Sequence, residues 1–357
     1  MTDLLLVLGS STGGIGTHVH SLAAECVAAG DRVTVCGPAA TDELFGFTAT
    51  GVRFESLPVG LSLLLHGSRR RALRSFIGAS SVVHAHGLQA GVVVGVVARR
   101  PAAAVIVTWH NAPLGRGPRR LLHMLLERVA ARRADVTIGA SDDLLVRARR
   151  AGARDARFVP VAPPRLEEPS ADAATLRAAE GLGDVPVVLA VGRLHAQKRF
   201  DTLVAAAALW SDRQPTPVVL IAGDGPEHVS LVQQSKELGV DVRLLGRRAD
   251  VADLLRIADV VVLPSSWEAR PLVAQEALAA GRALVATPVG GVPSLVGSAA
   301  VLVPVGNPAA IASAVLRLLD DDDYRRSLER DALIRASRWP DVHDVAAQLR
   351  AIYSEAR

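Results

Sequence analysis

The chain has 357 residues, half of them hydrophobic, 21% charged and 3% aromatic, a balance that excludes disordered and fibrous classes and leaves room for two buried cores. Its net charge of +4 is the difference between 40 basic and 36 acidic residues, too even for a duplex-binding protein, so nucleic acid is not an expected partner and the basic excess is a question of local patches. The longest uniformly apolar stretch, Ala90 to Ala98, falls far short of the roughly 20 residues that cross a bilayer.

The N-terminus enters an apolar strand pattern at Leu4 with no basic n-region or small-residue cleavage site, so a secretory signal is not expected and a cytoplasmic location is. The two cysteines, Cys26 and Cys36, sit in core-like segments without metal or redox spacing and read as structural.

Taken in chain order, Leu4 to Leu8, Arg32 to Cys36, Val82 to His84, Val105 to Thr108 and Val136 to Ile138 read as strands separated by helical patterns. Continuous apolar strands alternating with helices mark a parallel sheet covered on both faces. The first strand runs into Gly9-Ser10-Ser11-Thr12-Gly13-Gly14-Ile15-Gly16-Thr17-His18-Val19, a glycine-rich turn opening a helix. Leu61 to Leu65 precedes Arg69, Arg70, Arg71 and Arg74, and a second basic stretch spans Arg116 to Arg120. His84 and His86 lie in Val-Val-His-Ala-His-Gly, and Thr108-Trp109-His110 closes the fourth of these strands. The His84 and His86 spacing permits metal binding, but no partner motif accompanies it, and packed or cleft-lining imidazoles are the plainer reading.

Pro160, Pro163, Pro164 and Pro169 remove backbone donors and disfavour helix before them, which places a linker at residues 163–169. A second alternation follows, with strands at Val187 to Val191, Val218 to Ala222, Val242 to Leu245, Val260 to Leu263 and Ala283 to Ala286. Gly192-Arg193-Leu194-His195-Ala196-Gln197-Lys198-Arg199 follows the first of these, and Gly223-Asp224-Gly225-Pro226 the second. After the strand at Val260 comes Glu268-Ala269-Arg270-Pro271-Leu272-Val273-Ala274-Gln275-Glu276, running into a helix that ends near Gly281. Its carboxylates can both face the crevice at the carboxyl ends of the strands, and the free amides of the helix start suit a phosphate. The acidic run Asp320 to Asp323 contains Asp-x-Asp, a metal-holding pattern in one class of sugar transferases, but between two helical stretches it reads as a solvated junction.

These segments resemble glycosyltransferase family 4. Glu268 and Glu276 match its Glu, seven intervening residues and second Glu, with Ala-Arg-Pro where many relatives have Gly-Phe-Gly. Gly192-Arg193-Leu194 with Lys198-Arg199 matches its Gly-Arg-Leu and lysine segment, Gly223 to Pro226 its Gly-x-Gly-Pro turn, and Gly13 to His18 its Gly-Gly-x-x-x-His segment. The likeness covers the whole C-terminal half and the first loop.

The resemblance implies an α/β fold of the GT-B type: two Rossmann-like parallel-sheet domains facing a central cleft, with a C-terminal helix returning to the first domain. It divides the chain into an acceptor-binding domain at 1–162, the linker at 163–169, a nucleotide-sugar domain at 170–335 and a crossing helix at 336–357. The implied activity is retaining transfer of a hexosyl unit from a nucleotide sugar with no cofactor and no metal. Arg193, with a bidentate fork, and Lys198, with a compact charge, would neutralise the departing diphosphate. Glu268 would contact donor-sugar hydroxyls and His110 would lie beside the reacting sugar, completing the catalytic set. Glu276 would hold the ribose, and Gly14, Gly16, Gly192, Gly223, Gly225, Arg270, Pro271, Leu272 and Val273 would line the donor site. The acceptor is expected to be lipid-linked at the inner face of the membrane, or a small anionic or polyol molecule, because apolar residues beside clustered arginines seat in an anionic headgroup layer.

Of three rivals, a dehydrogenase is set aside and two stay open. A short-chain dehydrogenase is opposed by its third glycine falling one place late in the first loop and by Leu328 and Arg357 standing where Tyr324 and Tyr353 would need a lysine. A GT-B epimerase or phosphorylase uses the same scaffold. A non-catalytic nucleotide-sugar-binding protein is opposed by the presence of Arg193, Lys198, Glu268 and Glu276 together.

Overall fold

A computed structural model of the chain describes residues 1–11, 13–98, 103–112, 117–163 and 166–357. Its first sheet contains β1 (Asp3–Leu8), β2 (Arg32–Gly37), β3 (Arg53–Ser56), β4 (Val82–His86), β5 (Ala104–Trp109), β6 (Val136–Gly139) and β7 (Ala156–Phe158). The spatial order is β3-β2-β1-β4-β5-β6-β7 with every pairing parallel. Every residue of β4 and β5 is buried, as is required of strands covered by helices on both faces; the polar members of these strands, His84, His86 and Thr108, are buried with the rest.

The second sheet contains β8 (Val187–Val191), β9 (Val218–Ala222), β10 (Val242–Gly246), β11 (Val260–Leu263), β12 (Ala283–Ala286) and β13 (Val301–Leu302). It is also parallel, in the order β10-β9-β8-β11-β12-β13. Successive β8 residues serve opposite cores: Val187 and Leu189 pack with Ala274 and Leu278, while Val188 and Ala190 pack with Leu203 and Ile311. The period-2 alternation of a strand thus feeds two apolar layers at once.

The chain divides into two units, one made of residues 1–162 and 340–357 and the other of residues 163–339. In the first unit the helix Val342–Ala356 buries Val345, Ala346, Leu349, Ile352 and Tyr353 in the same core as Leu4, Leu6 and Val19. A capping box between Asp341 and Asp344 starts that helix, and Arg350 donates to the buried Asp31 carboxylate at 2.7 Å, which also accepts the Thr2 amide. Among the described residues no helix is long and apolar enough to cross a membrane.

In each sheet the strand order reverses between two neighbours, β1 and β4 in the first and β8 and β11 in the second. Ligands of open α/β sheets bind in the crevice beyond the carboxyl ends of strands at such reversals. The acidic run falls elsewhere, at a helix junction: Asp321 accepts the Tyr324 amide at 2.9 Å as a cap, while Asp320, Asp322 and Asp323 pair with Arg213, Arg325 and Arg326. Of the linker, Pro164 and Arg165 lie outside the described residues, as does Thr12 of the first loop and Arg116 of the second basic stretch.

Candidate active site

In the second unit the loops after β8 and β11 flank the strand reversal, and their side chains meet there. Lys198 Nζ donates to Glu268 Oε1 at 2.7 Å, with only 16% and 9% of the two side chains exposed. Ser265 Oγ donates to the same oxygen at 2.6 Å. Backbone stitching fixes the pair. The Ser266 amide donates to Gln197 O at 2.8 Å, and Gln197 Nε2 to Trp267 O at 2.6 Å. The Gly291 amide donates to Glu268 O at 2.9 Å, while Thr287 Oγ1 donates to Ser265 O at 2.6 Å. Gln197, Thr287 and the Gly290-Gly291 pair were given no role from the sequence; the signal that could have found the last is a double glycine four residues beyond a buried strand.

The remaining residues singled out in this unit line the same strand ends. Arg193 is exposed. Gly192 lies with a would-be Cβ 3.2 Å from Lys198 Cε. Gly223, at φ +152, has its backbone so close to the β8 loop that a Cβ would stand 1.8 Å from Gly192 O. A Cβ on Gly225 would stand 2.4 Å from Leu194 O. Leu272 opens the helix Leu272–Ala279 with Pro271 as its cap residue, leaving first-turn amides, including that of Val273, without intrahelical acceptors. Arg270 donates to Gln275 Oε1 at 3.1 Å and stands over the Trp339 ring at 5.7 Å. Burial, with Arg335 nearby, pulls its guanidinium down to about 10. Glu276 is half-buried on the helix, and desolvation pushes its carboxyl up to about 7.

In the first unit Gly14 begins the helix Gly14–Ala28 after Gly13. The Gly16 amide is held by Ser11 Oγ at 2.9 Å, and Gly16 has a packing reason as well: a Cβ there would stand 2.1 Å from the Phe45 ring. His110 follows β5 and is buried, with its Nε2 3.1 Å from His86 Nδ1. His84 Nδ1 bonds the Tyr353 hydroxyl and its Nε2 the Thr108 hydroxyl, each at 2.7 Å. Burial holds all of these imidazoles far below the usual histidine range, to about 3 for His84.

The second unit thus offers a lysine and an arginine beside a helix start and two carboxylates, a set suited to an anionic group that also carries hydroxyls. Residues 13–164 match the family model "Glycosyl transferase 4-like domain" and residues 172–334 match "Glycosyl transferases group 1". The chain is 30% identical over 316 residues to the alpha-D-kanosaminyltransferase of Streptomyces kanamyceticus, covering 82% of each chain. It is 36% identical over 214 residues to a D-inositol 3-phosphate glycosyltransferase of Corynebacterium glutamicum, a match spanning 55% of this chain and 50% of the relative. Its fold is that of Anabaena HepE in complex with UDP and glucose, with a TM-score of 0.87 at 22% identity over 99% of this chain and 100% of that one. On sequence and architecture together, the chain is a transferase and belongs to the GT-B glycosyltransferases of the family 4 type.

Proposed function

We propose that the protein is a retaining glycosyltransferase that moves a hexosyl unit, mannose, glucose or N-acetylglucosamine, from a nucleoside-diphosphate sugar to an acceptor that is anionic or presented at a membrane surface. The observation that carries the reading is the 2.7 Å pair of Lys198 and Glu268, which joins two sequence-distant motifs at the strand reversal of the second unit. In this reading the donor diphosphate sits at the start of the helix Leu272–Ala279, where its charge meets free amides and the positive end of the helix dipole. Lys198 and Arg193 stabilise the charge that grows on the leaving phosphate, and the acceptor attacks on the face that this phosphate vacates. Glu268 holds sugar hydroxyls, Glu276 holds the ribose, and His110 lies beside the reacting sugar.

The named ligands and substrates of similar proteins support these classes: UDP, glucose and UDP-glucose in Anabaena HepE structures, inositol 3-phosphate, and L-malate in a Bacillus anthracis N-acetylglucosaminyl transfer enzyme. Two of those acceptors are anions.

The test is turnover in clamp variants. Arg193→Ala and Lys198→Ala are expected to lower kcat by roughly two to three orders of magnitude, the usual effect of losing one preorganised electrostatic contact, with folding intact by circular dichroism. Near-normal kcat/KM in both would remove the clamp from the mechanism. Cations and amides supply the neutralising charge here, so transfer is also expected to persist in excess EDTA, and a metal-reversible loss would overturn that part.

A further inference from the structure

At the reversal point of the first sheet, three imidazoles converge from three elements. His86 ends β4 and His110 follows β5, so the parallel ladder between those strands fixes their separation. His18 comes from the helix Gly14–Ala28. One ring nitrogen from each lies within 4.8 Å of the other two. We propose that His18, His86 and His110 form a binding site for a borderline divalent cation of the zinc type, and that an ion bound there reversibly inhibits transfer by engaging His110.

Three observations support the site. A zinc ion with nitrogens at about 2.0–2.1 Å in tetrahedral array separates them by about 3.4 Å; His86 and His110 already stand at 3.1 Å, and His18 offers a nitrogen within 4.8 Å of both. Imidazole is the ligand type that zinc, copper and nickel share, and all three side chains here are imidazoles. Finally, His18 brings a third imidazole edge-on to both, with ring centroids 5.7 Å from His86 and 5.4 Å from His110, an approach that a hydrogen bond between His86 and His110 does not require.

His84 completes the surroundings without joining the ligands. Its ring packs on His86 with centroids 4.0 Å apart, and both of its nitrogens are taken by Tyr353 and Thr108. It therefore packs against the His86 ring and limits its rotation. His18 is only partly buried, so its side leaves the fourth coordination position to water, as in three-histidine sites with an exchangeable ligand.

The inhibitory consequence rests on the role given to His110 above, and the test keeps the two apart. Untagged, chelator-treated protein is titrated with Co2+ and followed by visible absorption, then challenged with Zn2+. One cobalt per chain is expected, with the ligand-field bands of four-coordinate cobalt, abolished by Zn2+. His18→Gln and His86→Gln should each weaken binding roughly tenfold or more, the scale on which even supporting residues act in metal sites, while exposed His66→Gln leaves it unchanged. Thermal unfolding checks that the variants fold, and His18→Gln, being partly exposed, keeps the test informative if His86→Gln does not. Absence of cobalt bands in folded wild type, or binding as tight as wild type by both site variants, overturns the site. Zinc at saturating occupancy should suppress transfer and EDTA restore it; binding without suppression overturns the inhibition, whereas the clamp variants of Arg193 and Lys198 report on the donor reading independently.

Discussion

Glu268 and Glu276 are one turn of loop and one turn of helix apart, yet their surroundings give them different chemistry. Glu268 shares one oxygen between Lys198 and Ser265, which keeps an anion compensated in place. Glu276 has burial alone acting on it, and its carboxyl rises from 4.5 to about 7. Because the folded protein then holds a proton that the unfolded chain releases, its stability falls as pH rises from about 4.5 to about 7. Glu276→Gln should remove that slope, raising Tm more at pH 8 than at pH 5. Under the roles proposed for Glu276 and Glu268, a ribose hydroxyl would donate to the ionised Glu276 carboxylate, so nucleoside-diphosphate affinity should tighten through about pH 7 in wild type and be weaker and flatter in Glu276→Gln. Glu268→Gln should instead leave nucleotide affinity nearly intact and lower kcat, since a contact to the reacting sugar tightens as charge develops. Calorimetric binding beside steady-state kinetics separates the two, and the reverse pattern would exchange their roles.

At the scale of elements, legibility followed burial. β8, β9, β11 and β12 are interior strands whose apolar runs, Val187 to Val191, Val218 to Ala222, Val260 to Leu263 and Ala283 to Ala286, coincide with the elements formed. β3, β7 and β13 were not read from the sequence; all three are sheet edges and short, and Arg53-Phe54-Glu55-Ser56 faces too little core on either side to need an apolar run. Site legibility had a different limit. Each motif was visible on its own strand end, but the meeting of Lys198 with Glu268 depends on β8 lying beside β11, which no local pattern encodes. His18, His86 and His110 likewise converge through β1, β4 and β5 being neighbours. Such contacts make close-packed turns intolerant of bulk. Gly223→Ala would place a methyl 1.8 Å from Gly192 O at φ +152, a Gly-only region that costs about 1–3 kcal/mol before any clash. Urea unfolding should show at least that loss, together with weakened nucleotide binding because the β8 loop is displaced. Wild-type stability in this variant would show that the two turns can separate freely.

On the scale of the whole molecule, the two units repeat one plan, a parallel sheet with a reversal point, and assign it different chemistry: charged side chains in residues 163–339 and clustered imidazoles in residues 1–162. The surface of the first unit carries the feature that bears on the acceptor. Leu61–Leu65 forms a short 3-10 helix in which Leu63 is buried but Leu65 is 86% exposed. The helix Gly67–Gly78 that follows buries only Leu73 and Ile77 and exposes Arg70, Arg71 and Arg74. The helix Pro118–Arg133 adds exposed Leu121, Leu122 and Leu125. Exposed leucines beside arginines fit a headgroup layer, where each basic residue contributes about 1 kcal/mol against anionic lipid. Co-sedimentation with phosphatidylserine-containing vesicles should therefore succeed at low salt and fade as ionic strength shortens the Debye length. Replacing Arg69, Arg70 and Arg71 together by serine should reduce binding roughly a hundredfold, three such contributions converted to an equilibrium constant. Leu65→Ser should weaken binding without altering its salt dependence, because it removes apolar insertion and no charge. If wild-type protein ignores anionic vesicles at low salt, the membrane-presented acceptor fails and a small soluble anion takes its place.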